Sequence, residues 1–356
     1  MAGMVPREAR KGRGAASNRA GRYEPHGREA ADDGWGALDE PQPPLRTTVA
    51  IDASRTIIAR NTSPDVPFDR SINAYRGCEH GCVYCFARPT HAFLGLSPGQ
   101  DFETRLFAKP DAPRLLRDEL ARPGYRCEPI ALGTNTDPYQ PIERRFNITR
   151  GILEVLLEHR HPVTITTKSA LVTRDLDILG EMAELGLAKA FLSVTTLDRR
   201  LANRLEPRAS TPDKRLEAIR ALAAAGVPAG VMVAPVIPGL TDPELESILL
   251  AAARAGAREA GWLLLRLPLE VRGLFEEWLA VHAPAKAKRV LALVRETRGG
   301  RMNDPRFGHR HRGEGAYAAL IGQRFAAAVR RLGLNLRTQA LDTTRFKPPR
   351  EQMSLF

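Results

Sequence analysis

The chain has 356 residues, of which 43% are hydrophobic and 26% are charged, a balance typical of a soluble globular protein and not of a disordered one. This length is enough for one large α/β domain with extensions or for two ordinary domains. No uncharged run of about eighteen apolar residues occurs, and no apolar segment follows the basic amino terminus, so neither a membrane span nor secretion is predicted. Only four cysteines occur, three of them within eight residues, which excludes a disulfide framework and predicts a reducing, cytoplasmic location.

The net charge of +12 is carried by the carboxyl-terminal region. Between Lys286 and Arg350 there are sixteen Lys or Arg and four acids, which alone give +12. Such a positive field favours a polyanion as partner, and DNA is the expected one. Within this region, residues 298–317 are rich in Gly and Arg, and a glycine-rich backbone can approach phosphates closely. A basic solvated face, or a loop that closes the side of a barrel, explains the same residues, and these alternatives stay open.

Four segments follow one another along the chain. Residues 1–45 have almost no large apolar side chains, and we expect disorder because they cannot bury enough surface to offset the entropy of ordering. Residues 46–270 alternate short β-rich runs with helical periods. Residues 271–338 are predicted to form a basic, mainly helical extension, and residues 339–356 a flexible tail.

The second segment opens with two short runs, 47–54 and 56–61, which look like a strand or hairpin lead-in. Six stronger β-rich runs follow, at 71–76, 128–135, 163–168, 190–196, 229–237 and 261–268. Segments with 3.6-residue apolar spacing lie between them, at 148–160, 173–185, 211–226 and 241–257. This alternation predicts an α/β fold with a right-handed parallel sheet, and six such units suit a partial (β/α)6 barrel with functional groups at the carboxyl ends of its strands. Periodicity alone does not separate this barrel from a doubly wound sheet.

Three cysteines just after the first of these six runs give the strongest chemical signal. Cys78, Cys82 and Cys85 have the spacing C-x3-C-x2-C in CEHGCVYC. Each thiolate can bind one iron of a single [4Fe–4S] cluster, which leaves the fourth iron open to a small molecule with an amine and a carboxylate. The alternative is a closed zinc site, which needs a fourth ligand. His80 is the nearest, but it lies between two cysteines, where we expect it to point away from a shared metal.

CEHGCVYC resembles the C-x3-C-x-aromatic-C signature of the radical S-adenosylmethionine superfamily. Together, NAYRGCEHGCVYCFARPTHAF at 73–93 and GTNTDPYQPIE at 133–143 are similar to the spore photoproduct lyase-like branch of its bacterial proteins, over about residues 60–325. The resemblance implies a radical SAM partial barrel with a [4Fe–4S] cluster on the three cysteines. It also implies reductive cleavage of S-adenosylmethionine (AdoMet) to a 5′-deoxyadenosyl radical that abstracts hydrogen, and a one-electron donor such as flavodoxin or ferredoxin.

The same resemblance implies an AdoMet pocket at the strand ends. The adenine is expected to contact the aromatic residue of the signature. The methionyl amine is expected to meet its acceptors after the second strand, and the methionyl carboxylate its partners after the third and fourth strands. The matching residues here are Tyr84, Thr134, Asn135, Asp137, Lys168, Ser193 and Arg208. Asp137 is the charged acceptor expected for the amine.

The predicted function is a radical enzyme that repairs or modifies DNA. Radical modification of a peptide or small metabolite is one alternative, and a DNA-associated iron–sulfur redox module without turnover is another. The lyase of this branch returns a hydrogen atom from a protein thiol on the second strand, and the matching stretch here, IALGTN, has no cysteine. Cys127 comes several residues earlier, at the expected far end of that strand, which speaks against photoproduct cleavage by that route.

The final residues suggest a protein partner. A tether with Pro348 and Pro349 leads to a short segment that resembles the pentapeptide by which bacterial replication and repair proteins bind the DNA sliding clamp. The five residues are Gln352, Met353, Ser354, Leu355 and Phe356. A tail that folds back onto its own barrel is the alternative.

Overall fold

The computed structural model of the chain describes residues 10–24 and 45–349. Within these ranges no helix has both the length and the apolar composition needed to cross a membrane. The strands of this part are β1 (Thr48–Ile51), β2 (Ile58–Arg60), β3 (Arg70–Ile72), β4 (Tyr75–Arg76), β5 (Arg105–Ala108), β6 (Ile130–Leu132), β7 (Val163–Thr167), β8 (Ala188–Ser193), β9 (Ala229–Val236) and β10 (Glu259–Leu264).

Helices follow most of the strands. They are α1 (Asp101–Thr104), α2 (Ala112–Leu120), α3 (Glu143–Phe146), α4 (Ile148–Glu158), α5 (Leu176–Glu184), α6 (Arg199–Leu205), α7 (Pro212–Ala224), α8 (Leu245–Arg254), α9 (Glu270–His282), α10 (Pro284–Glu296) and α11 (Gly315–Leu332). Short 3-10 helices span Arg88–Leu94, Ala170–Asp175 and Asp242–Glu244.

A seven-stranded sheet forms the wall of a partial barrel, in the order β10-β9-β8-β7-β6-β3-β2. Strands β3, β6, β7, β8, β9 and β10 run parallel to their neighbours, and β2 is an antiparallel edge. These six parallel strands are the six predicted β-rich runs. Their order never reverses, as it would at the switch point of a doubly wound sheet, so the sheet winds in one direction as a barrel does. The predicted fold class is confirmed.

The two early runs form strands but not a hairpin. Strand β1 pairs in parallel with β5, which also pairs with β4, and β2 pairs with β3 of the main sheet. The pairing of Thr48 with Arg105 joins residues far apart in sequence, which local periodicity does not reveal.

Burial follows the pattern of the residues. In β7, Val163, Ile165 and Thr167 are buried while Thr164 and Thr166 are half-buried, and β-branched side chains of this kind favour a strand. Helix α7 begins with Pro212 at its first position, which is tolerated because a first-turn residue needs no N–H. The amphipathic faces of α4, α5, α7 and α8 cover the outside of the sheet, so that only the carboxyl ends of the strands remain for a site.

Residues 10–24, which we expected to be disordered together with the rest of 1–45, are ordered against the barrel. The backbone N–H groups of Gly14 and Ala15 donate to the two carboxylate oxygens of Glu103, each at 2.9 Å, and Arg13 Nη1 donates to Glu103 O at 3.0 Å. The disorder prediction counted large apolar side chains only, whereas this segment is fixed by hydrogen bonds to a buried carboxylate. The other residues of 1–45 lie outside the described ranges, except for Leu45.

The described part of the predicted tail is also held in place. The Phe346 ring packs on Tyr125 and His161, with ring centroids 5.5 and 5.4 Å apart, and Lys347 N donates to His159 O at 2.8 Å. His161 lies two residues before β7, so this anchor lies at the amino ends of the strands. The clamp-binding prediction concerns residues 352–356, which lie outside the described part of the chain.

Candidate active site

The three cysteines of the signature lie on one loop at the carboxyl end of the parallel strands. Cys78 and Cys82 are 7% and 9% exposed, Cys85 is half-buried, and all three are free thiols. Gly77 and Gly81 have φ angles of 74° and 67°, in the left-handed region that suits glycine. The two glycines therefore allow the tight turns of this loop.

The loop is held from behind by a buried ion pair. The Arg88 guanidinium donates to the backbone oxygens of Gly81 and Cys82, at 3.0 and 2.8 Å, and to the Glu103 carboxylate. Both side chains are 0% exposed. Glu103 in turn binds the segment that contains Gly14, and a Cβ added to Gly14 would lie 1.8 Å from Gly81 O. The amino-terminal segment therefore packs directly on the cysteine loop.

From the other side the loop is held by the predicted amine-binding motif. Gln140 accepts from Glu79 N at 2.9 Å and donates to Gly77 O at 3.2 Å. The side chain of Gln140 is fully buried. This motif, 133–141, thus positions the backbone of the cysteine loop.

Asp137 joins three parts of the site. Its carboxylate accepts from Thr167 Oγ1 at 2.6 Å, from Lys168 N at 2.7 Å and from Tyr139 N at 2.9 Å, and it lies 3.3 Å from His80 Nδ1. Burial alone would raise the pKa of Asp137, but the interactions with His80, Thr167 and Lys168 N lower it to about 2. Four partners fill the acceptor sites of a carboxylate. The structure therefore gives Asp137 a positioning role, and its contact with a methionyl amine stays a prediction.

Asn73 is a site residue that the sequence reasoning missed. Its Oδ1 accepts from Asn135 N at 3.0 Å and from Thr136 N at 3.2 Å, and its Nδ2 lies 3.3 Å from Thr134 Oγ1. It thereby fixes the loop that carries the two predicted acceptors, of which Asn135 is exposed and Thr134 half-buried. The available signal was a polar residue directly after the buried strand β3.

A second buried carboxylate lies beneath the aromatic residue of the signature. Tyr84 OH and Thr195 Oγ1 donate to Glu206, and Arg215 forms a buried ion pair with the same carboxylate. Burial alone would raise the pKa of Glu206, but the charges of Arg215 and Lys168 and the two hydroxyl groups lower it to about 2. Arg215 was missed because it lies in an ordinary amphipathic helix, α7.

Lys168 faces the cysteines. Its Nζ lies 5.9 Å from the Tyr84 ring centroid and donates to Ala234 O at 3.3 Å. Burial raises the pKa of the thiols of Cys82 and Cys85, and the charge of Lys168 opposes that shift. Lys168 therefore lies near Tyr84 and the thiols, and the predicted contacts of Lys168 and Tyr84 with AdoMet stay predictions.

The remaining predicted residues are placed differently. Ser193 ends β8, is 4% exposed, and its backbone oxygen accepts from Arg215 Nη1 at 2.8 Å. Arg208 pairs with Glu79, with Nη1 and Oε1 2.9 Å apart, so its charge is used on the cysteine loop. A contact of either residue with AdoMet stays a prediction.

The Radical SAM superfamily model matches residues 72–252 of this chain, which include the cysteine loop, the last residue of β3 and the parallel strands β6 to β9. The chain belongs to the radical SAM superfamily. It is 42% identical over 232 residues to an uncharacterized protein of Mycobacterium tuberculosis, covering 65% of this chain and 68% of that protein. An uncharacterized protein of Methanocaldococcus jannaschii is 28% identical over 173 residues, covering 49% of this chain and 62% of the other.

Among solved structures, spore photoproduct lyase complexed with a dinucleoside spore photoproduct is similar in fold. The TM-score is 0.58 at 17% identity, and 80% of each chain is covered. A variant of that lyase with bound AdoMet and the dinucleoside gives a TM-score of 0.56 at 16% identity. These likenesses concern the fold. Radical SAM proteins are enzymes that use a [4Fe–4S] cluster and AdoMet, and the predictions of an enzyme and of these cofactors are confirmed.

The three thiols are spaced too widely to bind a single zinc ion together. Two sulfurs that bind one zinc at about 2.3 Å are at most about 4.6 Å apart. Among the described residues, the potential ligand atoms of Asp304, His309 and Glu314 all lie within 4.8 Å of one another. The sulfur atoms of the three cysteines do not meet this criterion. His80 Nδ1 is directed to Asp137, so the zinc alternative also lacks its expected fourth ligand.

The basic loop 298–313 closes the open side of this radical SAM barrel. At one end, the buried Arg298 donates to the backbone oxygens of Leu264 and Leu265, at 3.1 and 2.6 Å, where β10 ends. At the other end, Arg310 Nε lies 2.6 Å from the carboxylate of Asp65, in the connection between β2 and β3. The loop thus spans the gap between the two edge strands, which supports the barrel-closure interpretation of its arginines.

Two further arginines of the loop have partners within the fold. Arg306 pairs with Asp304 at 2.6 Å and with Glu314 at 3.2 Å. Arg312 Nη1 donates to Trp262 O at 3.0 Å, and its guanidinium lies 4.7 Å from the Trp262 ring centroid. Arg306 thus pairs with two members of a group, Asp304, His309 and Glu314, whose potential ligand atoms all lie within 4.8 Å of one another.

Proposed function

We propose that this radical SAM enzyme holds its [4Fe–4S] cluster on Cys78, Cys82 and Cys85 and acts on nucleic acid. The observation that carries the first part is one loop with three buried or half-buried thiols, spaced too widely for a single ion and held by an ion pair that is 0% exposed. Three thiolates and an open iron are what a cluster that binds AdoMet requires.

When bound, the cluster and AdoMet supply reductive carbon–sulfur cleavage and a radical able to abstract hydrogen from a substrate. The side chains of the chain perform the binding and orientation. Arg88 and Gln140 fix the loop backbone, and Asp137 fixes the ends of β6 and β7 against it. Lys168 presents an ammonium group near the thiols, which suits the carboxylate of AdoMet.

Nucleic acid as substrate is supported by two independent observations. The chain carries a net charge of +12, and its fold resembles that of a lyase complexed with a dinucleoside photoproduct. The thiol-dependent reaction is disfavoured, because Cys127 precedes the amino end of β6 whereas the cysteine loop lies at the carboxyl ends. We therefore propose a DNA repair or modification reaction that does not use Cys127 as hydrogen donor.

The direct test incubates the reduced, reconstituted protein with AdoMet and with ultraviolet-damaged or intact DNA. We expect 5′-deoxyadenosine to form and altered nucleosides to appear in the digested DNA by mass spectrometry. Formation of 5′-deoxyadenosine with no altered nucleoside would favour the peptide or metabolite alternative. Absence of 5′-deoxyadenosine from a protein with a full cluster would contradict the proposed chemistry.

Lys168→Met is expected to keep the cluster and weaken AdoMet binding by about 1.5–3 kcal/mol, the range for a hydrogen bond to a charged group. Isothermal titration under anaerobic conditions measures this loss. The matched control is Lys214→Met, because Lys214 is 63% exposed and pairs only with Glu217 on the outer helix α7. Equal affinities of the Lys168 variant and the control would remove Lys168 from the pocket.

The sliding clamp is proposed as a partner, and this proposal rests on the motif at 352–356 alone. Lys347 is anchored to His159, so a synthetic peptide of residues 348–356 begins just after the anchor and contains the whole motif. We expect this peptide to bind a purified bacterial clamp with micromolar affinity, and Leu355→Ala with Phe356→Ala to abolish binding, because these side chains fill the apolar pocket. If the peptide shows no binding at several hundred micromolar, the sliding clamp is removed as a proposed partner.

A further inference from the structure

Four arginines lie at or near the end of β10. Arg266 follows this strand and lies near Arg298 and Arg310, and Arg312 donates to Trp262 O within the strand. The guanidinium groups of the last three donate to backbone oxygens or to Asp65, as described above, and so serve the closure of the barrel. Of these four arginines, Arg266 remains as a candidate for binding a ligand.

Arg266 has a different environment. Within the described residues its guanidinium donates no hydrogen bond, and it lies 4.4 Å from the centroid of the Phe86 ring. The side chain of Arg266 is half-buried, and Phe86 is 40% exposed. Phe86 directly follows Cys85, so the pair lies beside the proposed cluster.

The groups around Arg266 leave its hydrogen-bond donors unused. Of the two acidic groups that act on its charge, Asp65 is already paired with Arg310 and Cys85 is taken as a cluster ligand. An arginine stays protonated in proteins. A half-buried guanidinium with five unused donors beside another cation is stabilised by an oxyanion that accepts two of those hydrogen bonds.

We propose that Arg266 binds a phosphate of a single-stranded nucleic acid substrate at the mouth of the barrel, next to the exposed ring of Phe86. This inference rests on the proposed function, since it takes Cys85 as a cluster ligand and nucleic acid as the substrate class. A planar guanidinium matches two phosphate oxygens, and an exposed aromatic ring beside it offers a surface on which a neighbouring base stacks. A carboxylate substrate would use the guanidinium but would have no use for the ring.

The experiment measures binding of a short fluorescent oligothymidylate to the reconstituted protein with AdoMet, by anisotropy over a range of salt concentrations. Arg266→Ala is expected to weaken binding roughly tenfold or more and to reduce the slope of log affinity against log salt by about 0.7, the value for one phosphate contact on a single strand. Arg266→Lys should retain the slope, because it keeps the charge, and lose part of the affinity. An oligothymidylate with neutral methylphosphonate linkages should bind the unmodified protein weakly and without dependence on residue 266.

Arg306→Ala is the matched control, because Arg306 is 58% exposed on the adjacent loop and is paired with Asp304 and Glu314. We expect its affinity and salt slope to stay close to those of the unmodified protein. Equal losses in the two alanine variants would show a general effect of charge and overturn the proposal. So would an unmodified protein that does not bind the oligonucleotide.

A third result would assign the guanidinium to the cofactor instead. If Arg266→Ala lowers AdoMet affinity and leaves oligothymidylate binding unchanged, the anion is the carboxylate of AdoMet and the proposal is overturned. Formation of 5′-deoxyadenosine by the unmodified protein is scored separately. A protein that forms it without binding the oligonucleotide contradicts only the phosphate site, whereas one that cannot form it contradicts the proposed function.

Discussion

Replacing any one of Cys78, Cys82 and Cys85 with Ala is expected to abolish the iron–sulfur cluster and, with it, all cleavage of AdoMet. Each thiolate is expected to hold a separate iron, and two thiolates leave two irons of the cubane without a protein ligand. Anaerobically purified protein should contain about four irons and four sulfides per chain, with a visible absorbance shoulder that each of the three variants lacks.

Cys127→Ala is the matched control for this series. Cys127 is half-buried, it precedes β6 at the amino ends of the strands, and burial raises the pKa of its thiol to about 12. A thiol of this kind is unreactive, and its loss should leave the iron content unchanged. Loss of the cluster in this variant, or stoichiometric zinc in the unmodified protein, would show that the ligands have been assigned incorrectly.

Glu103→Gln is expected to destabilise the protein by about 3–5 kcal/mol, the cost of removing one partner from a buried ion pair. Gln keeps the size of the side chain but leaves the Arg88 charge buried without its counterion, and both residues are 0% exposed. The two backbone N–H groups of the amino-terminal segment would also lose a charged acceptor. Urea unfolding under anaerobic conditions, followed by tryptophan fluorescence, measures the change in the free energy of unfolding.

The comparison for this variant is Asp118→Asn. Asp118 is 58% exposed and pairs with Arg114 at 2.9 Å on the surface of α2, where an ion pair contributes less than about 1 kcal/mol. We also expect the Glu103 variant to bind less iron, since the same ion pair holds the backbone of Gly81 and Cys82. Similar free energies of unfolding for the two variants would mean that Glu103 does not anchor the loop.

The main sheet could be predicted because the sequence pattern that specifies each of its strands is local. Runs such as 163–168 combine β-branched residues with the periodicity of a strand, and helix α7 begins at Pro212 and is followed closely by Gly226. The cysteine spacing is likewise local, so the candidate cluster site was found from one stretch of sequence. The small sheet of β1, β5 and β4 was not predicted, because two-residue and four-residue strands from distant parts of the chain carry no periodic signal.

The partners of the site side chains could not be predicted for a related reason. Asp137 was expected to accept the methionyl amine, and the sequence contains no sign that Thr167, Tyr139 N and Lys168 N already donate to it. Arg208 was expected near AdoMet, yet it pairs with Glu79. Each of these interactions depends on which side of a loop faces the barrel, and tertiary packing sets that orientation.

The position of the basic loop 298–313 in the chain indicates the order in which the parts of the barrel fold. The six parallel strands and the cysteines lie between residues 70 and 264, so they leave the ribosome before the loop that bridges the two edges of the sheet. Contacts such as Arg310 with Asp65 join residues 245 positions apart, and long-range contacts of this kind form late in folding. The side of the barrel that this loop covers is therefore expected to be the last part of the barrel wall to close.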